Sequence, residues 1–206
     1  AAGFHLGEAI CGFSEWGAAT KVKQLCRQYE AVLLPREKGF AGSGDVDIET
    51  IQYELSGDTE VDSLVRKLMV LLLRVSGSTH VVVELVQDNG NRLLYDELSL
   101  LDSTRVARRD HVPVSLMLLA LKSRDTVVVN DLASERTLRD VGLLQERGVR
   151  SFMILPVTIH GHQSMVVYLE NIFSDNWYVP ERVRWARITA NQGAVIIENA
   201  RIHERS

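Results

Sequence analysis

Side chains able to do covalent, redox or metal chemistry are few in this chain of 206 residues, and unevenly placed. A thiolate reaction needs a nucleophilic and usually a resolving cysteine close together. The two cysteines, Cys11 and Cys26, both precede a long remainder that, from Leu55 onward, has none. They lie about symmetrically around Gly17, so two helices broken there could bring the thiols face to face. Two small buried hydrophobes is the plainer reading of the same spacing. Two thiols form no disulfide framework and fit a reducing, cytoplasmic setting. Among the histidines, His80, His111, His160, His162 and His203 are formal candidates for a haem axial ligand. His160 and His162, on either side of Gly161, have a spacing that could take a stray metal, although solvated or satisfied rings account for all five. Ser115 and the other hydroxyls lack a nucleophile elbow, and no G-x-x-x-x-G-K-[ST] loop is present. Arg105, Arg108 and Arg109 could hold an anion or simply face water. The expectation is therefore no catalysis, no metal and no cofactor.

The bulk properties narrow the partners. A formal charge of −4 without a long basic stripe argues against nucleic acid. A hydrophobic share of 46% is enough for a real core. The strongest apolar runs, residues 68–73 and 115–121, are far shorter than the ~20 residues of a membrane span. Ala1-Ala2-Gly3 does not begin a signal peptide.

The elements that would position a site follow from periodicity. Residues 1–34 have the helical spacing of an αα-hairpin broken at Gly17, with Trp16 as its core anchor. Residues 35–54 read as linker, most clearly the Gly-rich, charged stretch 35–47. Thr59 and Asp62 stand at the offset of a capping box. They open a helix with apolar Val61, Leu64, Leu68, Leu71 and Val75, widened by Val65, Met69, Leu72 and Leu73. Strands at 80–86 and 93–98 flank Asp88-Asn89-Gly90-Asn91, where Asn-Gly signals a hairpin. A short helix follows Pro113, a β-branched strand covers 126–129, and a polar then helical stretch ends at Gly148 as a C-terminal cap. Strands at 152–159 and 165–169 are joined by His160-Gly161-His162-Gln163. Pro180 then opens a long helix with no breaker but Gly193. Hairpins at both ends with helices between predict an α+β fold around a largely antiparallel sheet.

Both long helices carry more apolar surface than one sheet can cover. The last helix has a seam of mostly small residues, Val183, Ala186, Ala190, Gly193, Ile197 and Ala200. A second row runs through Trp185, Ile188, Val195 and Ile202. Packing of the first seam with Val61, Leu64, Leu68 and Leu71 could be made within one chain or between two copies.

The strand Arg150-Ser151-x-x-x-x-Pro156, the strand Val-Tyr-Leu-Glu-Asn ending at Asn171, and the helix A-N-Q-G-A-V-I-I-E-N-A-R-I-H ending at His203 together resemble the closing half of a GAF domain, most of all those of large multidomain sensor histidine kinases. The stretch S-E-W-G-A-A-T-K-V-K-Q-L around Trp16 is similar to the helical repeat before the GAF domain in such kinases. The resemblance implies a helical-repeat tail at 1–34, a GAF domain at 55–206, and covalently linked kinase and ATPase-like regions. It implies a sheet with the N- and C-terminal helices on one face and a pocket under short helices on the other. Ser115, Leu116, Val129, Asn130, Asp131, Leu143, Phe152, Ile154 and Tyr168 would line that pocket, or close on one another as plain core. It also favours a parallel homodimer through the small-residue seam.

Family branches test poorly against this chain. Methionine sulfoxide reduction needs pocket thiolates, and a phytochrome-like bilin needs a thioether anchor; the domain has no cysteine for either. Where cyclic-nucleotide-binding relatives show Asn-Lys, a later Phe and Asp-Glu, this chain has Asn171-Ile172, Tyr178 and Pro180-Glu181. Only His111 would stand near the pocket. The expected role is a sensory or regulatory domain that binds a small molecule and passes its occupancy through the helices. A ligand does that only by binding two arrangements with different affinity. The alternative is a ligand-free dimerisation spacer.

Overall fold

The computed structural model describes residues 48–87, 90–99, 112–138 and 141–204. The helical hairpin expected at 1–34 with its cysteines, most of the linker, the arginine cluster at 105–109 and His111 fall outside those residues. The described elements are α1 (Ile48–Leu55), α2 (Val61–Ser76), β1 (His80–Val86), β2 (Arg92–Ser99), α3 (Val114–Ser123), β3 (Val127–Val129), α4 (Gly142–Glu146), β4 (Ser151–Ile159), β5 (His162–Asn171) and α5 (Pro180–Glu204).

The strands form one antiparallel sheet in the order β2-β1-β5-β4-β3. Because strand side chains alternate, the odd positions Val81, Val83 and Leu85, Met153, Leu155 and Val157, and Met165, Val167 and Leu169 share one core with α1, α2 and α5. Even positions Val82, Phe152, Ile154, Val166 and Tyr168 share a second core with α3, Val129, Leu132, Leu144 and Val149. The sheet is buried on both sides, which is why β1 and β5 read as nearly continuous apolar runs. His160 (φ 48) and Gly161 (φ 83) form the two-residue turn between β4 and β5, a left-handed pair suited to the strand twist. Both turn residues are exposed to water.

Three expectations need correction. Residues 48–54, assigned to the linker, belong to α1, whose Ile51 and Leu55 are one turn apart and buried in the first core. No Thr59–Asp62 capping box forms: Glu60 is the N-cap of α2 and makes no side-chain cap bond. Asp58 takes over, accepting from the Glu60 N–H (3.3 Å) and the Ser63 hydroxyl and pairing with Lys67 (3.1 Å). The Ser63 hydrogen bond, then Lys67, hold its carboxyl down at about 2. A carboxylate here also faces the positive end of α2.

The third correction concerns the small-residue seam, which is closed within one chain. Leu64, Leu68, Leu71, Ala186, Ala190, Gly193, Ile197 and Ala200 are buried between α2 and α5, with Val61 and Val183 partly buried beside them. Gly193 lets the two helix axes approach: a Cβ there would collide with the Leu68 methyls. These residues cannot also be the surface of a dimer without opening the core. Of the second row, Val195 and Ile202 remain outside, 45% and 53% exposed, whereas Trp185 and Ile188 pack partly against the first core. Among the described residues, no helix is long and apolar enough to cross a membrane.

Candidate functional site

On the second face of the sheet the predicted site residues separate into three groups. Leu116, Val129, Phe152, Ile154 and Tyr168 are brought together, but as packed neighbours. Phe152, Ile154 and Tyr168 are wholly buried, with the Phe152 and Tyr168 rings 5.8 Å apart. Ser115 is exposed on α3 and Leu143 half-buried on α4. Asn130 and Asp131, at the end of β3, bond with their side chains to the protein's own backbone. The Asp131 carboxylate accepts from the N–H groups of Ala133 (3.1 Å) and Ser134 (3.3 Å), shaping the loop that follows. Asn130 Oδ1 accepts from the Tyr178 N–H (2.9 Å), and its Nδ2 donates to the Tyr178 carbonyl (3.2 Å).

The same face holds a buried polar cluster that the sequence reading did not single out. His80 on β1 lies directly opposite Glu170 on β5, and both point with Val82 and Tyr168 toward the second face. The Tyr168 hydroxyl donates to Glu170 Oε2 (2.7 Å). Arg147, where α4 ends, donates to Glu170 Oε1, and His80 Nδ1 lies 3.4 Å from that same oxygen. Gly148 (φ 76) turns the chain from Arg147 into β4, and this brings a charged side chain from the short helix onto the sheet. Farther along β1 on the same face, Glu84 pairs with Arg92 of β2 at 3.5 Å. The signal was legible in outline: Glu170 breaks an apolar strand and has the same parity as Tyr168.

The electrostatics decide what this cluster can do. Burial pushes the Glu170 carboxyl up, but the hydrogen bond and charge of His80, the charge of Arg147 and the Tyr168 hydroxyl outweigh it and hold the group below its usual range. Burial, then the charge of Glu170, push the Tyr168 phenol well above its ordinary value. A carboxylate held ionised and a phenol held protonated are not matched to proton transfer near neutral pH. They suit fixed hydrogen bonding and charge. Among the described residues, no group of three or more His, Cys, Asp or Glu side chains is placed to hold a metal.

The positions that line up with cyclic-nucleotide-binding relatives serve structure here. Asn171 Oδ1 accepts from the N–H groups of Phe173 and Ser174, both at 2.9 Å. Tyr178 is buried, with its hydroxyl 2.9 Å from that of Ser78.

Comparison with known proteins agrees with this architecture. A methyl-accepting chemotaxis protein (residues 122 to 287) superposes with a TM-score of 0.60 at 14% identity, over 76% of this chain and 99% of that one. The GAF domain of the cyanobacteriochrome TePixJ gives 0.59 at 14% identity, over 72% and 95%. A domain of a putative two-component sensor histidine kinase from Sinorhizobium meliloti gives 0.50 at 10% identity, over 71% and 96%. At these identities the likeness shows the fold alone. No curated protein matches this chain in sequence. The GAF domain family model matches residues 58–198, from the α2 N-terminus to deep within α5, and the chain therefore belongs to the GAF domain family.

Proposed function

We propose that this chain is the sensory or regulatory domain of a larger cytoplasmic signalling protein, a histidine kinase by resemblance, and that it turns over no substrate. A small molecule held on the second face of the sheet is the input, and the helical layer on the first face is the output. One observation carries this reading: His80, Arg147, Tyr168 and Glu170 gather in the floor of a largely apolar face. A few oriented polar groups in an apolar wall are the usual make-up of a small-molecule site. The cover over that floor includes α3 and the short α4, whereas α1, α2 and the 25-residue α5 pack the opposite face. Among the described residues neither helix over the second face is as long as α2 or α5, and that is the face we assign to the ligand.

Native mass spectrometry of the purified chain tests the ligand. A non-covalent adduct lost on denaturation is expected, and amide shifts on adding it back should map to Leu116, Ile154 and Tyr168. The scaffold reading rests on a specific observation too: Phe152, Ile154 and Tyr168 already fill one another's surroundings. No adduct, together with no binder from a small-molecule library, would establish the scaffold in place of the sensor.

A further inference from the structure

We propose that Asn130 is the positioning residue that joins the sensing face to both long helices of the output layer. The inference rests on the reading above for which face is the input, and on geometry for everything else. Val129 and Leu132, on either side of the Asn130-Asp131 corner, are both buried in the second core. Anything that displaces that core moves the corner between them.

The corner is bound to the start of α5 by three hydrogen bonds. Asn130 uses both ends of its amide on the backbone of Tyr178, accepting from its N–H at 2.9 Å and donating to its carbonyl at 3.2 Å. The Asn130 carbonyl also accepts from the Asn176 N–H at 2.6 Å. Tyr178 stands two residues before Pro180, where α5 begins. A paired donor and acceptor in one short side chain imitates a strand ladder. Aspartate would set a carboxylate oxygen against the Tyr178 carbonyl, and alanine would keep only the main-chain bond to Asn176.

From Tyr178 the path reaches the end of α2. Its hydroxyl is 2.9 Å from Ser78 Oγ, which is 2.7 Å from Ser76 Oγ, and Ser76 Oγ donates to the Leu72 carbonyl at 2.6 Å. Beside it, Trp177 Nε1 donates to the Ser76 carbonyl at 3.0 Å. The indole fills the space where a Cβ on Gly77 would stand, 2.8 Å from the ring. Arg182, in the first turn of α5, stacks over that indole at 3.6 Å. The last turn of α2, the first turn of α5 and the end of β3 thus meet at Trp177-Tyr178. A shift of the corner must either break the Asn130 pairing or move both helix ends.

Amide hydrogen exchange on the full 206-residue chain tests this without a ligand. Leu132→Val trims the second core by one methylene, and changes are read relative to the central amides of β1. Exchange at residues 177–184 and 73–79 should quicken by about threefold, the effect expected of one buried methylene on local opening. With Asn130→Ala in place, which leaves only the main-chain bond to Asn176, the extra effect of Leu132→Val should be at least halved at both segments, and Asn130→Asp should not restore it. With Tyr178→Phe, it should fall at 73–79, where only the Trp177 bond to the Ser76 carbonyl is left, and persist in full at 177–184. An undiminished response in Asn130→Ala, or no response in the native background, overturns the proposal. Should Asn130→Ala fail to fold, the Tyr178→Phe arm decides, and equal responses at both segments refute the path. Because no ligand is added, a missing adduct in native mass spectrometry would defeat the sensor reading and leave this result standing.

Discussion

A carboxylate that is 2% exposed is costly to keep ionised, and Glu170 is kept so by donors on Arg147 and Tyr168 with His80 beside them. Removing one partner of a buried charge cluster leaves the others unpaired, at about 3 kcal/mol or more. Glu170→Gln should therefore lower stability at pH 7 by roughly that amount, with Tyr168→Phe, which removes one donor to a charged acceptor, costing about 2 kcal/mol. The pH dependence has a definite sign. The folded-state value of Glu170 lies below its ordinary one, so its contribution is present above the unfolded value of about 4.3. It is lost as pH falls through the lower folded value. Urea unfolding from pH 7 downward should show an acid limb that Glu170→Gln flattens; an unchanged limb would mean the cluster is not holding the carboxylate. At this scale the sequence was readable by parity. Phe152, Ile154, Tyr168 and Glu170 alternate onto one face as the strand pattern requires. The use of Asn130 was not readable, because an amide's partner is set by tertiary approach, and Tyr178 lies 48 positions away.

Between elements, the fit is close where α5 crosses α2 at Gly193. Alanine is a better helix former than glycine by about 1 kcal/mol, so Gly193→Ala would stabilise an isolated α5. In the folded chain the new methyl meets Leu68, itself wholly buried, and overpacking a closed core costs about 1–3 kcal/mol. Overpacking wins, and Gly193→Ala is expected to destabilise by about 1 kcal/mol net. Leu68→Ala alone should cost about 3 kcal/mol as a cavity. Together the two should cost clearly less than their sum, since the added methyl occupies part of the space vacated. A double-mutant cycle by chemical denaturation measures this, and strict additivity would contradict the close approach. The three-and-four spacing in α2 and α5 showed which faces were apolar but not what covers them. The missing cover included α1, whose eight residues follow a Gly-rich stretch and have only Ile51 and Leu55 as buried anchors. Such a short segment gives a weak periodic signal, and its helix is fixed by packing on α2 and α5.

For the whole molecule, closure of the small-residue seam leaves the later part of a heptad-spaced row on α5 facing outward, while Trp185 and Ile188 at its start pack partly against the first core. Ile188, Val195 and Ile202 are seven apart and β-branched, and Trp185, Gln192 and Asn199 precede each by three. Val195 and Ile202 are 45% and 53% exposed. Rows alternating by three and four are the pattern of a two-stranded coiled coil, and a polar residue such as Asn199 in one row favours a single register over greater stability. The homodimer we infer uses this row, with α5 of one copy against α5 of the other about a two-fold axis. The paired helices then begin just after the junction at Trp177-Tyr178, and their far end is where a movement would leave the domain. Sedimentation should find dimers on the order of tens of micromolar and above. Val195→Glu would set two carboxylates against each other across the axis and should yield monomers. Val195 is half out of the subunit's own core, so thermal unfolding of the dilute monomer should shift little. A native chain that stays monomeric, or a Val195→Glu chain that dimerises as well as the native one, would leave α5 without a partner and remove the dimeric relay.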